Sequence, residues 1–264
     1  MDKQTLISIT GELYHGAFDA NAYYLILQQY QKNLHDYAEE MKLSPAFYHT
    51  VYGALVKSCF MEVAKLFDCS KNAVSIGSLL KECLENQNFF PEYRETMTVE
   101  YDKRMFSFQI PYQHNLRPQE ECFFKEQVER ERKLFAAFNS PDADKIPIQV
   151  DLTFSEFLEL YQKCFMALSK KREKIRIQRN KIYAHNDVKR ISRDERLTAH
   201  SISFTDMQEM IDFSLDCLGL ILEILTDVNH VRKYANISDW ENTLMMTRLG
   251  MKYQDFDLRQ VKNL

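Results

Sequence analysis

The chain has 264 residues, 45 % of them hydrophobic, which is enough to fill one large core or two small ones. No apolar run is long enough to span a membrane and the first residues lack a signal-peptide pattern, so we expect a cytoplasmic protein without membrane association. Six cysteines without Cys-x-x-Cys pairs predict reduced thiols, and seven histidines without metal-ligand spacing predict neither a metal site nor a cofactor.

The first third of the chain predicts three helices, preceded by residues 1–18, for which a short helix is the one structure considered. Asp19 is predicted to cap the first helix. Ser44, which is followed by a proline, begins the second, which ends near residues 68–70. The third covers residues 75–85. Apolar side chains recur at helical spacing in these segments, so we interpret them as core positions.

Residues 91–150 lack this helical period. Residues 99–119 contain two prolines and show no regular alternation, so they are predicted to wrap around the surface without strands. A charged helix is predicted over residues 118–138. A linker over residues 139–152, with a brief extended segment, follows it. We interpret 91–150 as an insertion between an N-terminal and a C-terminal group of helices.

The helical period returns at Thr153, which forms a capping box with Glu156. Apolar residues then follow a 4-3 pattern. A continuous helix to residue 186 would be about 50 Å long, so a kink or a break near residues 169–171 is predicted.

A second capping box, of Thr205 and Gln208, precedes a broadly apolar helix that is expected to be innermost in the fold. Asp239 is predicted to cap a last short helix that ends before Gly250, within a C-terminal extension at 228–264. The fold class predicted is all-α: one domain, an up-and-down helical bundle carrying the insertion.

Charge is concentrated in one stretch, residues 170–196. It carries eleven Lys or Arg and four acids, a net charge of +7, so the rest of the chain sums to −11 against the total of −4. A local basic field in an acidic protein is suited to a polyanion such as a nucleic-acid backbone. The alternative is a solvated helix face followed by a polar loop.

Within this stretch lies the sequence RNKIYAHND, residues 179–187. Arg179 and His185 are six residues apart, which places them about 120° apart around a helix. Ile182 lies midway between them, so Arg179 and His185 would flank any helix that packs on Ile182. Two such helices across a two-fold axis would gather four polar side chains around one cleft.

These residues resemble the signature of the HEPN superfamily, and RNKxxAHxD is similar to its abortive-infection, AbiU-type branch. The segment 64–80, AKLFDCSKNAVSIGSLL, resembles a second patch of that branch, in which a helix ends at a Leu-aromatic-Asp triplet. The resemblance covers residues 20–90 and 150–227. It implies a HEPN-like bundle and a metal-independent endoribonuclease of phage-defence or toxin systems, with Arg179 and His185 as the catalytic pair.

The residue types are suited to that chemistry. RNA carries its own nucleophile, the 2′-OH, beside each phosphodiester. His185 can move protons near neutral pH, and the Arg179 guanidinium matches phosphate oxygens better than a lysine would. Supporting roles are predicted for Asn180, Tyr183 and Asp187. The predicted RNA-binding residues are Arg172, Lys174, Arg176, Lys181, Lys189 and Arg190.

Other interpretations remain open. His185 could be a hydrogen-bonded residue at a helix end, and Arg179 could pair with Glu173 or Asp187. The alternative function is a non-catalytic HEPN-type module that binds RNA, a nucleotide or a protein partner. The expected partners are RNA, a second copy in a homodimer, and an antitoxin or another defence-system protein.

Overall fold

A computed structural model describes residues 1–137, 146–179, 201–235 and 237–261, with side chains up to residue 253. Within these ranges the chain is predominantly helical, which confirms the all-α fold class. The helices are α1 (Lys3–Asn33), α2 (Ala38–Lys42), α3 (Pro45–Leu66), α4 (Ile76–Glu85), α5 (Lys125–Ala137), α6 (Phe154–Ala167), α7 (Ser169–Gln178), α8 (Phe204–Thr226) and α9 (Asp239–Val261). Four short strands are β1 (Glu95–Tyr101), β2 (Arg104–Ile110), β3 (Tyr112–Asn115) and β4 (Gln149–Leu152).

The bundle is organised around α1, which packs along both α3 and α8, while α4 packs on α6. Helix α8 contributes buried residues on a broad arc, as its sequence predicted, and Met210, Ile211, Leu218 and Ile221 are completely buried. The core is continuous from α1 to the β3–β4 pair. It therefore joins the helices on both sides of residues 91–150.

The prediction that Asp19 begins the first helix is wrong. Helix α1 starts at Lys3, and the Asp2 side chain accepts a hydrogen bond from the backbone N–H of Thr5 at 2.8 Å. Leu6 and Ala17 are completely buried in the core. Their packing outweighs the weak helix propensity of the two glycines in this stretch, so Asp19 lies inside a long helix.

The capping box at Thr153 is confirmed, and of the predicted kink or break near residues 169–171 the structure shows a break, at Leu168. The backbone N–H of Glu156 donates to the Thr153 hydroxyl at 3.2 Å, and the Glu156 carboxylate accepts from the Thr153 N–H at 2.7 Å. Helix α6 ends at Ala167 and α7 begins at Ser169, with Leu168 between them at a ψ of 2°. The break sets the direction of the basic helix α7.

The capping box of α8 uses residues other than those predicted. Ser203 and Asp206 form it, with the Asp206 N–H donating to the Ser203 hydroxyl at 3.0 Å, whereas Thr205 and Gln208 lie inside the helix. A carboxylate in the first turn also interacts favourably with the positive end of the helix dipole, which a glutamine does not.

The prediction of a strand-free surface segment at 99–119 is also wrong. Strands β1 and β2 pair in an antiparallel hairpin, and β3 pairs with β4. The hairpin turn is formed by Asp102 and Lys103, which have positive φ values of 50° and 59°. The sequence signal was missed because neither turn residue is glycine or asparagine, the residues that mark such turns.

The last helix is longer than predicted. Helix α9 continues through Gly250 to Val261. It is anchored by Trp240, whose ring stacks on Tyr30 at 4.7 Å, and by Leu244, which is buried in the same cluster. A glycine at a site with no neighbouring atoms weakens a helix but does not end it.

A buried ionic network joins residues 114–120 to the bundle. Glu120 is completely buried and accepts hydrogen bonds from Arg117 Nε and from His114 Nε2, both at 2.8 Å. Arg117 Nη1 lies 3.1 Å from Oδ2 of Asp216 on α8. Burial alone would raise the pKa of Glu120, but the bonds from His114 and Arg117 lower the pKa to about 2.

Candidate functional site

Three arginines line a cleft between α7 and the end of α3. Arg172, Arg176 and Arg179 follow one another at 4-3 spacing, so they lie within about 60° on one face of α7. The cleft has a volume of about 220 Å³, and its other walls come from the last turn of α3 and the residues after it. This is the place where the sequence predicted phosphate contacts.

Arg179 directly follows α7 and its guanidinium is held by Asp68. Nη1 of Arg179 lies 2.5 Å from Oδ2 of Asp68, and both side chains are about three-quarters buried. The other oxygen of Asp68 accepts from the backbone N–H of Ser70 at 2.9 Å and from its hydroxyl at 2.6 Å. Arg179 is thus oriented by a carboxylate that is itself fixed.

The charge state of Asp68 is favourable to this role. Burial alone would raise its pKa, but the hydrogen bonds from Ser70 and then from Arg179 outweigh burial and hold the pKa below its usual range. An ionised carboxylate can only accept hydrogen bonds, so Asp68 positions Arg179 and does not supply a proton.

Arg172 is fixed by stacking. Its guanidinium lies over the ring of Phe165 at 3.9 Å, and Nη1 is 3.3 Å from the sulfur of Cys69. Phe165 in turn packs against Gly77 of α4, where an added Cβ would come within 2.8 Å of the ring. Only glycine permits this close approach. The packing of α4 on Phe165 therefore helps to fix the position of the Arg172 guanidinium in the cleft.

The remaining basic side chains of α7 differ in their surroundings. Arg176 forms two bonds to the Glu173 carboxylate, at 2.7 and 2.8 Å, near the mouth of the cleft. Lys174 does not line the cleft. Lys171 makes an ion pair with Asp206 at 3.0 Å and another with Glu209, so it ties α7 to α8 instead of facing a ligand.

The cleft is suited to an oxyanion. Its charged lining residues are three arginines and two acids, a net charge of +1. Guanidinium groups bind phosphate through paired N–H donors in a fixed fork. Of the predicted site residues, the structure brings Arg172, Arg176 and Arg179 together and leaves Lys174 apart.

The other predicted site residues lie outside the described residues. They are Asn180, Lys181, Tyr183, His185, Asp187, Lys189 and Arg190. Their roles therefore stay predictions. Arg179 is the last described residue before them, so the described cleft ends where the RNKIYAHND motif begins.

Asp68 is the functional candidate that sequence reasoning missed. It completes the triplet Leu66-Phe67-Asp68, which carried part of the family resemblance without an assigned role. The expected partners of Arg179 were Glu173 and Asp187, and pairing with Asp68 was not foreseen. The structure thus places Arg179, the first residue of the RNKIYAHND patch, against Asp68 of the other patch.

The described ranges contain neither a candidate metal site nor a candidate membrane span. No group of three or more His, Cys, Asp or Glu side chains is placed there to hold a metal ion. None of the helices in those ranges combines the length and apolar character needed to cross a bilayer.

A known protein family matches most of the chain. The family model HEPN_AbiU2, described as AbiU2, matches residues 3–243, including the region 91–150 that the sequence resemblance left out. Neither the curated proteins nor the solved structures gave a match. The predicted resemblance to the AbiU-type branch is confirmed, and the chain belongs to the AbiU2 family of the HEPN superfamily.

Proposed function

We propose that this chain is a metal-independent endoribonuclease of phage defence, with Arg179 and His185 as its catalytic pair. The observation that supports this most is the cleft in which Asp68 orients Arg179 beside Arg172 and Arg176. Membership of an abortive-infection-related HEPN family gives the cleft a biological setting.

In the proposed reaction, His185 takes the proton of an RNA 2′-OH. The 2′-oxygen attacks the adjacent phosphorus, and the bond to the 5′-oxygen breaks as that oxygen receives a proton. The products are a 2′,3′-cyclic phosphate and a 5′-hydroxyl. Arg179 binds the non-bridging oxygens, whose negative charge increases in the transition state.

The other predicted residues have supporting roles in this proposal. Asn180 donates to phosphate or orients His185, Asp187 fixes the imidazole tautomer, and Tyr183 shapes the cleft. Flanking phosphates of the RNA contact Arg172 and Arg176, together with the predicted basic residues Lys174, Lys181, Lys189 and Arg190. A second copy in a homodimer would supply the second histidine, so that one acts as base and the other as acid. An antitoxin or another defence-system protein would control the activity, as in a toxin system.

A non-catalytic module is the second candidate function. The observation that favours it is that the guanidinium of Arg179 is already bound by Asp68, and that of Arg172 by Phe165 and Cys69. Such side chains can bind the phosphates of RNA, or the acidic groups of a nucleotide or protein partner, without cleaving a bond.

Incubating the purified chain with RNA in EDTA separates these functions. We expect RNA to be cut and an all-deoxy strand of the same sequence to remain intact, because only RNA has the 2′-hydroxyl. Gel analysis of both strands provides the measurement. Cutting of both strands would contradict the 2′-OH mechanism, as would cutting that requires added Mg²⁺. RNA binding without any cutting would support the non-catalytic module.

Replacing Asp68 with alanine tests its positioning role. We expect kcat to fall by about 10²-fold, because small displacements of a catalytic group have effects of this size. The KM for RNA should stay equal or fall, because an anion is removed from a phosphate-binding cleft. Steady-state kinetics on a labelled RNA would measure both values. Asp68→Asn keeps an acceptor for Ser70, so its kcat should lie between those of Asp68→Ala and the wild type. If both variants instead lost activity equally, through a raised KM and not a lowered kcat, the positioning role would be contradicted.

A further inference from the structure

The hairpin of β1 and β2 exposes an apolar face. Met97 is paired with Phe108, and Val99 with Phe106. Directly opposed residues of an antiparallel pair point to the same side, and side chains alternate along each strand. The "hairpin face" therefore consists of Met97, Val99, Tyr101, Phe106 and Phe108.

These five side chains are 42 to 75 % exposed, with Tyr101 the most exposed. The opposite side of the hairpin is mainly polar: Thr96, Thr98, Glu100, Ser107 and Gln109 lie there, with one methionine. Within the described residues, the extensive contacts of β1 and β2 are with each other. The hairpin is thus amphipathic, but its apolar side has no covering element in the described part of the chain.

Such a hairpin needs a partner. A two-stranded hairpin is at best marginally stable in water unless a third element packs on it. Its turn is not an optimal one, because Lys103 adopts a positive φ at the position where such turns favour glycine. Exposed apolar patches of several hundred Å² usually mark interaction surfaces.

We propose that the hairpin face binds the hairpin face of a second copy of this chain. The hairpin face itself carries no charge, and the residues that flank it on the same side, Glu95 at the base and Arg104 at the tip, have opposite charges. RNA binding depends on positive charge that tracks the phosphates, which this face lacks. A two-fold axis that reverses the strand direction places the Arg104 end of each hairpin over the Glu95 end of the other.

The hairpin face is large enough to form a small specific interface. The exposed parts of its five side chains amount to roughly 500 Å², given about 150–250 Å² for a whole aromatic side chain. Two such faces pressed together bury about 1,000 Å² in total, the lower limit for specific interfaces.

Photo-cross-linking identifies the occupant directly. The full chain with p-benzoylphenylalanine in place of Phe108 would be irradiated as a mixture of ¹⁴N- and ¹⁵N-labelled copies, and the linked peptides sequenced by mass spectrometry. We expect mixed-label links from residue 108 to residues 95–110 of the second copy. Links within one chain, links to added RNA, links to another surface, or no links at all would each overturn the proposal.

Two double variants supply the matched control. Val99→Glu with Phe106→Lys replaces one opposed pair of the hairpin face by an ion pair, which keeps the strands together but makes the face polar. We expect the chain with this change to lose the mixed-label links from residue 108, because charges on the face would have to be buried without partners from the second copy. Thr98→Glu with Ser107→Lys makes the same change on the polar side and should keep these links. Equal effects of both double variants would contradict the assignment.

This interface and the arginine cleft share no residue, so the two proposals can fail separately. Cross-linking through the hairpin without RNA cleavage would contradict the proposed function and support this interface. A chain that cuts RNA without the cross-link would remove the interface alone.

Discussion

Replacing Arg179 with alanine is expected to reduce RNA cleavage by about 10²–10³-fold, because a donor to the transition-state charge is lost. Arg179→Lys should also be strongly impaired, since an ammonium group keeps the charge but not the planar fork of donors. The cleavage rate of His185→Ala should fall by about 10²–10⁴-fold, because general acid–base catalysis by this histidine is removed. Single-turnover cleavage of one labelled RNA would measure all three.

The matched control is Lys174→Ala. Lys174 lies on the same helix but does not line the cleft, so its loss should lower RNA affinity slightly and leave the cleavage step unchanged. Circular dichroism should show an intact fold for Arg179→Ala, because Asp68 keeps its bonds to Ser70. Full activity of both Arg179→Ala and His185→Ala would contradict the catalytic assignment.

Replacing Glu120 with alanine is expected to have the largest effect on stability. Glu120 is completely buried and binds both Arg117 and His114, so its removal leaves a buried guanidinium without its main partner. Breaking a buried pair in this way costs about 3–5 kcal/mol. Chemical denaturation followed by circular dichroism would measure the change in the free energy of unfolding.

Glu129→Ala is the matched control for this prediction. Glu129 is 69 % exposed and pairs with Lys133 at 2.7 Å on α5, and exposed pairs of this kind contribute little to stability because solvent screens them. Similar decreases in the free energy of unfolding for Glu120→Ala and Glu129→Ala would contradict the predicted contribution of the buried network.

The Glu120 contribution should also depend on pH. Its folded pKa of about 2 lies below the ordinary value of 4.5, so the unfolded chain binds the proton more tightly. The stabilisation is therefore complete above pH 4.5 and is lost as the pH falls from 4.5 towards 2. The difference between wild type and Glu120→Ala should narrow over that interval, and a constant difference would contradict this account.

Local signals predicted much of the helical fold. Pro45 at the first helical position and the capping box at Thr153 mark helix starts through groups that lie close in sequence, so no tertiary knowledge is needed. The errors occurred where distant packing decides. Helix α1 extends past Asp19 because its first residues pack in the core, and α9 continues past Gly250 because Trp240 and Leu244 anchor it.

The candidate site was predicted only in part, for a similar reason. The residue types and the family resemblance singled out Arg172 and Arg176 as RNA-binding residues and Arg179 as a catalytic residue, and the structure brings all three to one cleft. The pairing of Arg179 with Asp68 joins residues 111 positions apart, and no local pattern encodes such a contact. The hairpin face was missed because its alternation is interrupted by a turn of two residues that are unusual for positive φ.

The central claim is that the 2′-hydroxyl of RNA is the nucleophile in the Arg179 cleft. The most direct measurement uses one RNA oligonucleotide, mapped for its cleavage site, beside a copy with a single 2′-deoxy nucleotide immediately 5′ of the scissile phosphate. We expect the first to give a 2′,3′-cyclic phosphate in EDTA with wild type but not with His185→Ala, and the second to resist cleavage at that site. Cleavage of the deoxy copy at the same position, or a product with a 5′-phosphate, would contradict the account.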